Sequence, residues 1–265
     1  MRWLREHLVL ILGMLVLVYT FIPILVVVLM SFNDPASRNV YQFNEFTLYN
    51  WTHLCEPEGM CVALWRSVQI GFAATLVSTI LGTLAAFALV RWDFALRSTT
   101  NLLIFLPMAA PEIVLGSSLL ALFVAAGFAG NLGMITILIA HIMFCLSFVV
   151  VTVRSRLAGM SDTLEQAAAD LYATPRQTFW RVTFPLVFPG ILGAALLSFS
   201  LSFDDFIITN LNAGTTTTFP MYVWGAAQRG VPMQVNVVGT MMFAISVLIV
   251  VGAELNHRRR VRALV

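Results

Sequence analysis

The chain has 265 residues, of which 59% are hydrophobic and 11% charged, with a formal net charge of +2 at pH 7 and a mean hydropathy of +0.88. This composition excludes a soluble globular domain, because so much apolar surface must face lipid. All fifteen basic residues are arginine, and the absence of lysine excludes a phosphate-binding P-loop, whose lysine reaches the nucleotide phosphates.

Apolar runs of about 20 residues, the length needed to cross a bilayer, predict six transmembrane helices. The first follows a start that resembles a secretion signal, but its apolar run is longer than a signal core and no small-x-small cleavage site follows it. We therefore expect a retained anchor. The spans form one transmembrane domain, 1–265, and cover residues 8–32, 67–90, 102–128, 132–153, 186–210 and 235–253.

The arginines predict the orientation of these spans, since cytoplasmic loops are enriched in basic residues. Twelve arginines fall on the side that holds both termini and the loop 154–185, whereas Arg38, Arg66 and Arg229 fall on the other side. We expect both termini to be cytoplasmic. The net charge then reflects membrane topology and gives no indication of nucleic-acid binding.

The first external loop, 31–65, contains two cysteines and several aromatic residues. Cys55 and Cys61 could form a disulfide if this side is the bacterial periplasm, but two free thiols fit equally well, because spacing alone fixes no geometry. The aromatic residues are expected to form an anchoring belt at the membrane interface. They are Tyr41, Phe43, Phe46, Tyr49 and Trp51.

Pro107 and Pro111 lie within the third span, where each removes a helical hydrogen bond and permits a kink. Glu112 follows directly. A carboxylate at bilayer depth is a functional candidate, and the alternative is a protonated glutamate that bonds a carbonyl freed by the kink. The spans show no inverted repeat and no pair of broken helices in matching halves, which disfavours a secondary transporter.

The cytoplasmic loop between the fourth and fifth spans, residues 154–185, predicts two short helices with start signals. Asp162 can cap the first, with Glu165 three residues later, and Thr174 can cap the second, with Pro175 at its first position. The first helix is rich in alanine although it covers no core. Such a small, flat face indicates a docking surface rather than a solvated connector.

This loop resembles the EAA loop of permease subunits of ATP-binding cassette (ABC) importers. Gln166 stands at the family's glutamate, Ala167 and Ala168 at its alanines, Tyr172 at its glycine, and Phe184-Pro185 at its closing Leu-Pro. The resemblance implies that the loop inserts into a cleft on an ATPase subunit. The coupling residues would be Glu165, Gln166, Ala167, Ala168, Asp170 and Tyr172. We call residues 154–185 the EAA-like loop.

Two positions depart from the family pattern. Gln166 lacks the usual charge, although Glu165 stands beside it, so a salt bridge to the partner would be shifted or lost. Tyr172 replaces a glycine suited to a positive φ, a conformation that costs another residue about 1 kcal/mol. A different turn, or a side chain that fills a pocket, would avoid this cost.

Asp204 and Asp205 lie in the fifth span, where lipid disfavours charge. Neighbours on a helix point about 100° apart. Asp205 is therefore expected to line a substrate path, while Asp204 bonds within the bundle or at a local break. The alternative is that both aspartates only pair with neighbouring helices. The polar stripe that shares a face with Asp205 comprises Ser198, Ser202, Thr209 and Asn212.

The stretch from Ser200 to Gly214 also resembles the second permease subunit of bacterial spermidine/putrescine importers. That family implies an all-α membrane protein with six transmembrane helices and the type I ABC importer permease fold, in the bacterial inner membrane. It implies polyamine cargo, a sister permease, a periplasmic polyamine-binding protein and two copies of a cytoplasmic ATPase that holds ATP and Mg. This chain would carry no cofactor, and its path residues would be Asp205, Asp204, Glu112, Ser202 and Thr209.

Three alternatives remain open from the sequence. The same machine could carry another small solute such as a metal cation, although the adjacent aspartates argue against anions. An ion-coupled secondary transporter could use Glu112 and Asp205 as proton carriers, but it would leave the EAA-like loop unexplained. A membrane enzyme is least favoured, because the four histidines lack metal-ligand spacing and no nucleophile motif occurs, so no catalytic or metal-binding residue is expected.

Overall fold

The structure is a computed structural model that describes residues 2–37, 42–161 and 163–262. Three residues discussed above, Arg38, Tyr41 and Asp162, lie outside this part. The described chain is mostly helical. Its elements are α1 (Arg2–Ser31), β1 (Asn33–Asp34), β2 (Glu45–Phe46), α2 (Tyr49–Thr52), α3 (Met60–Arg91), α4 (Arg97–Ala109), α5 (Glu112–Ala125), α6 (Met134–Ala158), α7 (Thr163–Asp170), α8 (Pro175–Thr178), a π-helical turn (Phe179–Thr183), α9 (Phe184–Asp204), α10 (Ile207–Asn212), α11 (Phe219–Ala227) and α12 (Met233–Arg262).

Within the described residues, five helical runs are long and apolar enough to cross a membrane, and the bent pair α4 and α5 gives a sixth if it forms one span. The predicted third span, 102–128, is therefore not one straight helix. Pro111 lacks an N–H and restricts the residue before it to extended conformations. Ala110 accordingly has ψ 139°, and the helix axes on its two sides differ by 109°.

The helical run that contains most of the predicted fifth span, 186–210, has different bounds. Helix α8, the π-helical turn and α9 form one run, Pro175–Asp204, so the second short helix of the EAA-like loop continues into the helix of this span. The run ends at Asp204 because Asp205 is extended, with ψ 127°, and α10 starts separately after it.

The chain divides into two compact units, and the larger, Val62–Tyr222, contains both broken spans. In this unit α3, α6 and α9 enclose a core of small and β-branched side chains, while α5, α6 and α10 enclose a second cluster. Gly82 permits the close contact of α3 with α6, because a Cβ there would lie 2.6 Å from Val149 Cγ1. Cys145 is fully buried in the second cluster, as expected of a small apolar filler.

The other unit consists of Met1–Cys61 and Val223–Val265. Its helices α1 and α12 pack together, with the rings of Phe21 and Phe243 edge to face at 6.4 Å. In the loop after α1, Phe32 stacks on both Phe46 and Trp51, at ring distances of 5.6 and 5.3 Å. Trp51 is thus held by the loop itself. The exposed rings of Phe43, Phe46 and Tyr49 remain available to the predicted membrane belt.

Cys55 and Cys61 form a disulfide in the structure, with their Cα atoms 5.3 Å apart, whereas Cys145 is free and buried. Of the two states that the sequence left open, the structure contains the bridge. We expect denatured, unreduced protein to accept one alkyl group, at Cys145, and reduced protein to accept three. Intact-mass spectrometry measures this, with Cys145→Ala as the control that removes the first group. Three groups without reductant would show that the bridge does not form.

Candidate functional site

Asp205 occupies the break between α9 and α10, and its carboxylate completes the start of α10. It accepts hydrogen bonds from the backbone N–H of Thr209 at 2.7 Å and from that of Ile208 at 3.4 Å. The Thr209 hydroxyl donates to the same carboxylate at 2.7 Å. The first N–H groups of a helix lack partners within the helix, and a carboxylate at that end also interacts favourably with the helix dipole. Asp205 therefore acts as a buried cap.

His141, from α6, bonds both sides of this break. Its Nδ1 lies 2.7 Å from the Ser202 hydroxyl in α9, and its Nε2 lies 2.9 Å from the Thr209 hydroxyl in α10. Nε2 is also 3.3 Å from the Asp205 carboxylate. All four side chains are buried. We call His141, Ser202, Asp205 and Thr209 the His141 cluster, since the imidazole joins three helical segments.

His141 was not predicted as a site residue, because the histidines lack metal-ligand spacing in the sequence. The signal was present, since an ionisable residue inside a membrane span is a candidate by default. Its partners are 61 and 68 residues away, so the sequence could not supply them.

The polar stripe predicted for the fifth span forms, but it faces protein. Besides the His141 cluster, Ser198 bonds Ser78 of α3 at 2.9 Å, and the Asn212 side chain donates to the Gly116 carbonyl at 3.2 Å. Asp205, which was expected to line a path, is 8% exposed and bonded within the protein in this conformation. Helical spacing failed as a guide because the helix ends between Asp204 and Asp205.

Asp204 and Glu112 are the two exposed carboxylates near the breaks. Helices α5 and α10 pack closely at Gly116, where a Cβ would lie 3.2 Å from the Ile208 Cα atom. This contact joins the helix that Glu112 begins to the helix that follows Asp205. Of the three predicted carboxylates, two are exposed and one is buried.

In the EAA-like loop, α7 ends in a left-handed turn at Tyr172. The Tyr172 N–H donates to the Ala169 carbonyl and the Ala173 N–H to the Ala168 carbonyl, the Schellman pattern in which the left-handed residue is usually glycine. Tyr172 has φ 60° and is 95% exposed. It thus keeps the positive φ rather than adopting another turn, and its ring fills no pocket of this chain.

The second start signal of the EAA-like loop is confirmed. The Gln177 N–H donates to the Thr174 hydroxyl, and the Thr174 N–H donates to the Gln177 side chain, with Pro175 at the first helical position. The first signal rests on Asp162, which lies outside the described residues. On α7, Gln166, Ala167 and Asp170 are exposed and Ala168 is half-buried.

Glu165 is directed into its own chain. It accepts from both terminal nitrogens of Arg91, at the end of α3, with Nη1 2.6 Å from Oε2, and it accepts from the Thr183 hydroxyl at 2.6 Å. The hydrogen bonds from Arg91 hold the pKa of Glu165 below its ordinary value. The carboxylate is therefore ionised and engaged at neutral pH.

Comparison with known proteins identifies the class of this molecule. Residues 78–262 match the family described as the inner membrane component of binding-protein-dependent transport systems. The chain belongs to this family. It is therefore a multi-pass inner membrane transport component, and the prediction that it is not an enzyme is confirmed.

Among individual family members, the chain is 34% identical over 243 residues to the spermidine/putrescine transport system permease protein PotC of Haemophilus influenzae, covering 91% of this chain and 93% of that protein. It is 36% identical over 236 residues to the putrescine transport system permease protein PotI of Escherichia coli K12, covering 86% and 83%. These two permeases are similar to this chain over nearly its whole length.

Two solved structures support the fold. A bacterial ABC transporter that imports the acidic polysaccharide alginate matches 96% of each chain, with a TM-score of 0.62 and 18% identity. The MetNI methionine ABC transporter matches 78% of this chain and 99% of its own, with a TM-score of 0.54 and 19% identity. The predicted all-α ABC importer permease fold is confirmed.

His141 gives a stability prediction. His141→Ala removes the buried hydrogen bonds of the imidazole to Ser202 and Thr209 and its contact with the Asp205 carboxylate, and we expect a loss of about 2 kcal/mol of folding free energy. The thermal midpoint of the detergent-purified permease, followed by size-exclusion chromatography, measures the change. His53→Ala, at an exposed histidine of the external loop, is the control. Equal midpoints for the two variants would show that the cluster adds no stability.

Proposed function

We propose that this permease moves polyamines, putrescine or spermidine, across the bacterial inner membrane. The observation that carries the proposal is the similarity, over most of the chain, to permeases named for spermidine and putrescine transport. The acidic site at the two helix breaks supports the same cargo. Polyamines are flexible cations, and carboxylates bind their ammonium groups by charge-assisted hydrogen bonds.

Within the site we assign cargo contact to Glu112 and Asp204. Both are exposed, and each lies at the edge of a break, where the helix gives way to irregular backbone. Irregular backbone at membrane depth is tolerated where it is buried in protein or lines a cavity. Asp205, Ser202 and Thr209 hold this backbone in place, so their part in transport is indirect.

We further propose the partners that the coupling function requires. A separate ATPase, in two copies, would bind ATP and Mg and receive the EAA-like loop. A sister permease would complete the path, a periplasmic polyamine-binding protein would deliver the cargo, and membrane lipid would cover the apolar spans. Both termini would be cytoplasmic, as the arginine distribution indicates. The exposed Ala167, Leu171 and Tyr172 support a docking role for the loop.

Uptake of labelled putrescine and spermidine tests the proposed function in cells with and without this chain. We expect uptake to require the chain, to stop when ATP is depleted, and to persist when the proton gradient is collapsed while ATP is maintained. Loss only on collapse of the gradient would indicate an ion-coupled carrier. Absence of uptake of either amine would overturn the polyamine assignment.

The same assay tests the acidic site. Glu112→Gln and Asp204→Asn should each lower uptake at least about tenfold, since a charged hydrogen bond contributes roughly 1.5–3 kcal/mol. Asp93→Asn is the matched control, because Asp93 is an exposed carboxylate that pairs with Arg97 away from the breaks. Uptake that is equal in all three variants would remove both carboxylates from the path.

Tyr172 gives a prediction about docking. Tyr172→Gly should stabilise the left-handed turn by about 1 kcal/mol, yet weaken ATPase binding, because it removes the most exposed ring of the loop. Tyr172→Phe keeps the ring and serves as the control. The measurement is the affinity of the purified permease for its ATPase subunit. Unchanged affinity in Tyr172→Gly would exclude the ring from the interface.

A further inference from the structure

We propose that Arg91, Glu165 and Thr183 form a clamp that makes α7 move together with α3 and α9. Glu165 is then a positioning residue that transmits movement of the EAA-like loop to the spans, and it is not a contact for the ATPase. This inference rests on the proposed function of the loop as the docking site of that ATPase.

The contacts of Glu165 join three parts of the chain. Arg91 is the last residue of α3 and binds both carboxylate oxygens, a two-pronged geometry that fixes orientation as well as distance. Thr183 ends the π-helical turn, is 3% exposed, and donates to Oε1 at 2.6 Å. The Glu165 side chain is 21% exposed and the Arg91 side chain 34% exposed, so the clamp is partly shielded from water.

Helix α7 is attached mainly through polar contacts within the described residues. It has eight residues, fewer than an isolated helix needs to be stable in water, and none of them is buried. The half-buried positions are Glu165 and Ala168. Helix α7 lies against α8 and the π-helical turn, and the contacts of Glu165 add an ion pair and a hydrogen bond to this attachment.

The clamp is connected through α9 to the site at the helix breaks. Thr183 directly precedes α9, whose 21 residues extend about 30 Å to Asp204 at the break. Helix α9 packs along α6, with Pro189 inside it. Arg91 connects in the same way to α3, which contacts α6 at Gly82. A displacement of α7 thus displaces α3 and α9 together.

A charge exchange tests the clamp in the assembled transporter of this permease, its sister, the ATPase and the binding protein. Glu165→Ala and Arg91→Glu should each break the clamp, and the double variant Arg91→Glu with Glu165→Arg should restore it with reversed polarity. Glu165→Gln, whose single amide oxygen cannot reproduce the two-pronged pair with Arg91, should retain only part of it. Asp93→Ala, at the exposed partner of Arg97, is the control.

The first readout is hydrogen exchange of the α7 amides, which needs no cargo. We expect exchange to accelerate at least about tenfold in the broken variants and to return towards the original rate in the double variant. Unchanged exchange in Glu165→Ala would overturn the clamp. If the original protein transports neither amine, the polyamine assignment fails, while this readout still decides the clamp.

The second readout separates transmission from docking. In proteoliposomes we expect the broken variants to retain the ATPase subunit and to hydrolyse ATP, but to transport at least about fivefold less cargo per ATP. The double variant should recover most of this ratio. Loss of the ATPase subunit from Glu165→Ala, without recovery in the double variant, would show that Glu165 is a docking contact and overturn the proposal.

Discussion

The structure depends on one constraint, that a helix broken inside a membrane must still satisfy the backbone groups released by the break. At α10 both ends are satisfied by side chains from elsewhere. The Asp205 carboxylate accepts from the first N–H groups, and the Thr136 hydroxyl of α6 donates to the Asn212 carbonyl at 2.7 Å. A carboxylate buried for this purpose needs its own partners, which are Thr209 and His141. The His141 cluster therefore stabilises the break, and the residues at the break in turn supply the cluster with its members.

This constraint explains why the three acidic residues are assigned different roles. The carboxylate that caps α10 is occupied by backbone and imidazole, so it has little capacity left for cargo. Asp204 is the last residue of α9 and Glu112 the first of α5, and both remain exposed. Helix α5 packs closely on α10 at Gly116. The two exposed carboxylates assigned to cargo are therefore distinct from the carboxylate that caps α10.

The sequence was sufficient for features that depend on local composition. Apolar runs located the spans, and the Thr174-Pro175-Gln177 pattern located a helix start that the structure contains. The sequence was insufficient where the structure depends on contacts between residues that are far apart in the chain. The partner of Glu165 lies 74 residues away, and the histidine that holds Asp205 lies on another helix. The polar stripe was correctly grouped, but its direction depended on a break that helical periodicity does not reveal.

The internal role of Glu165 also accounts for the neutral residue beside it. A carboxylate at position 166 would place a second negative charge next to the carboxylate that Arg91 binds. Gln166 avoids this charge and remains exposed on α7. Tyr172 keeps a left-handed turn at a cost of about 1 kcal/mol and presents an exposed ring just after α7. The two departures from the family pattern therefore change the exposed side of the loop, whereas Glu165 makes its contacts on the inner side.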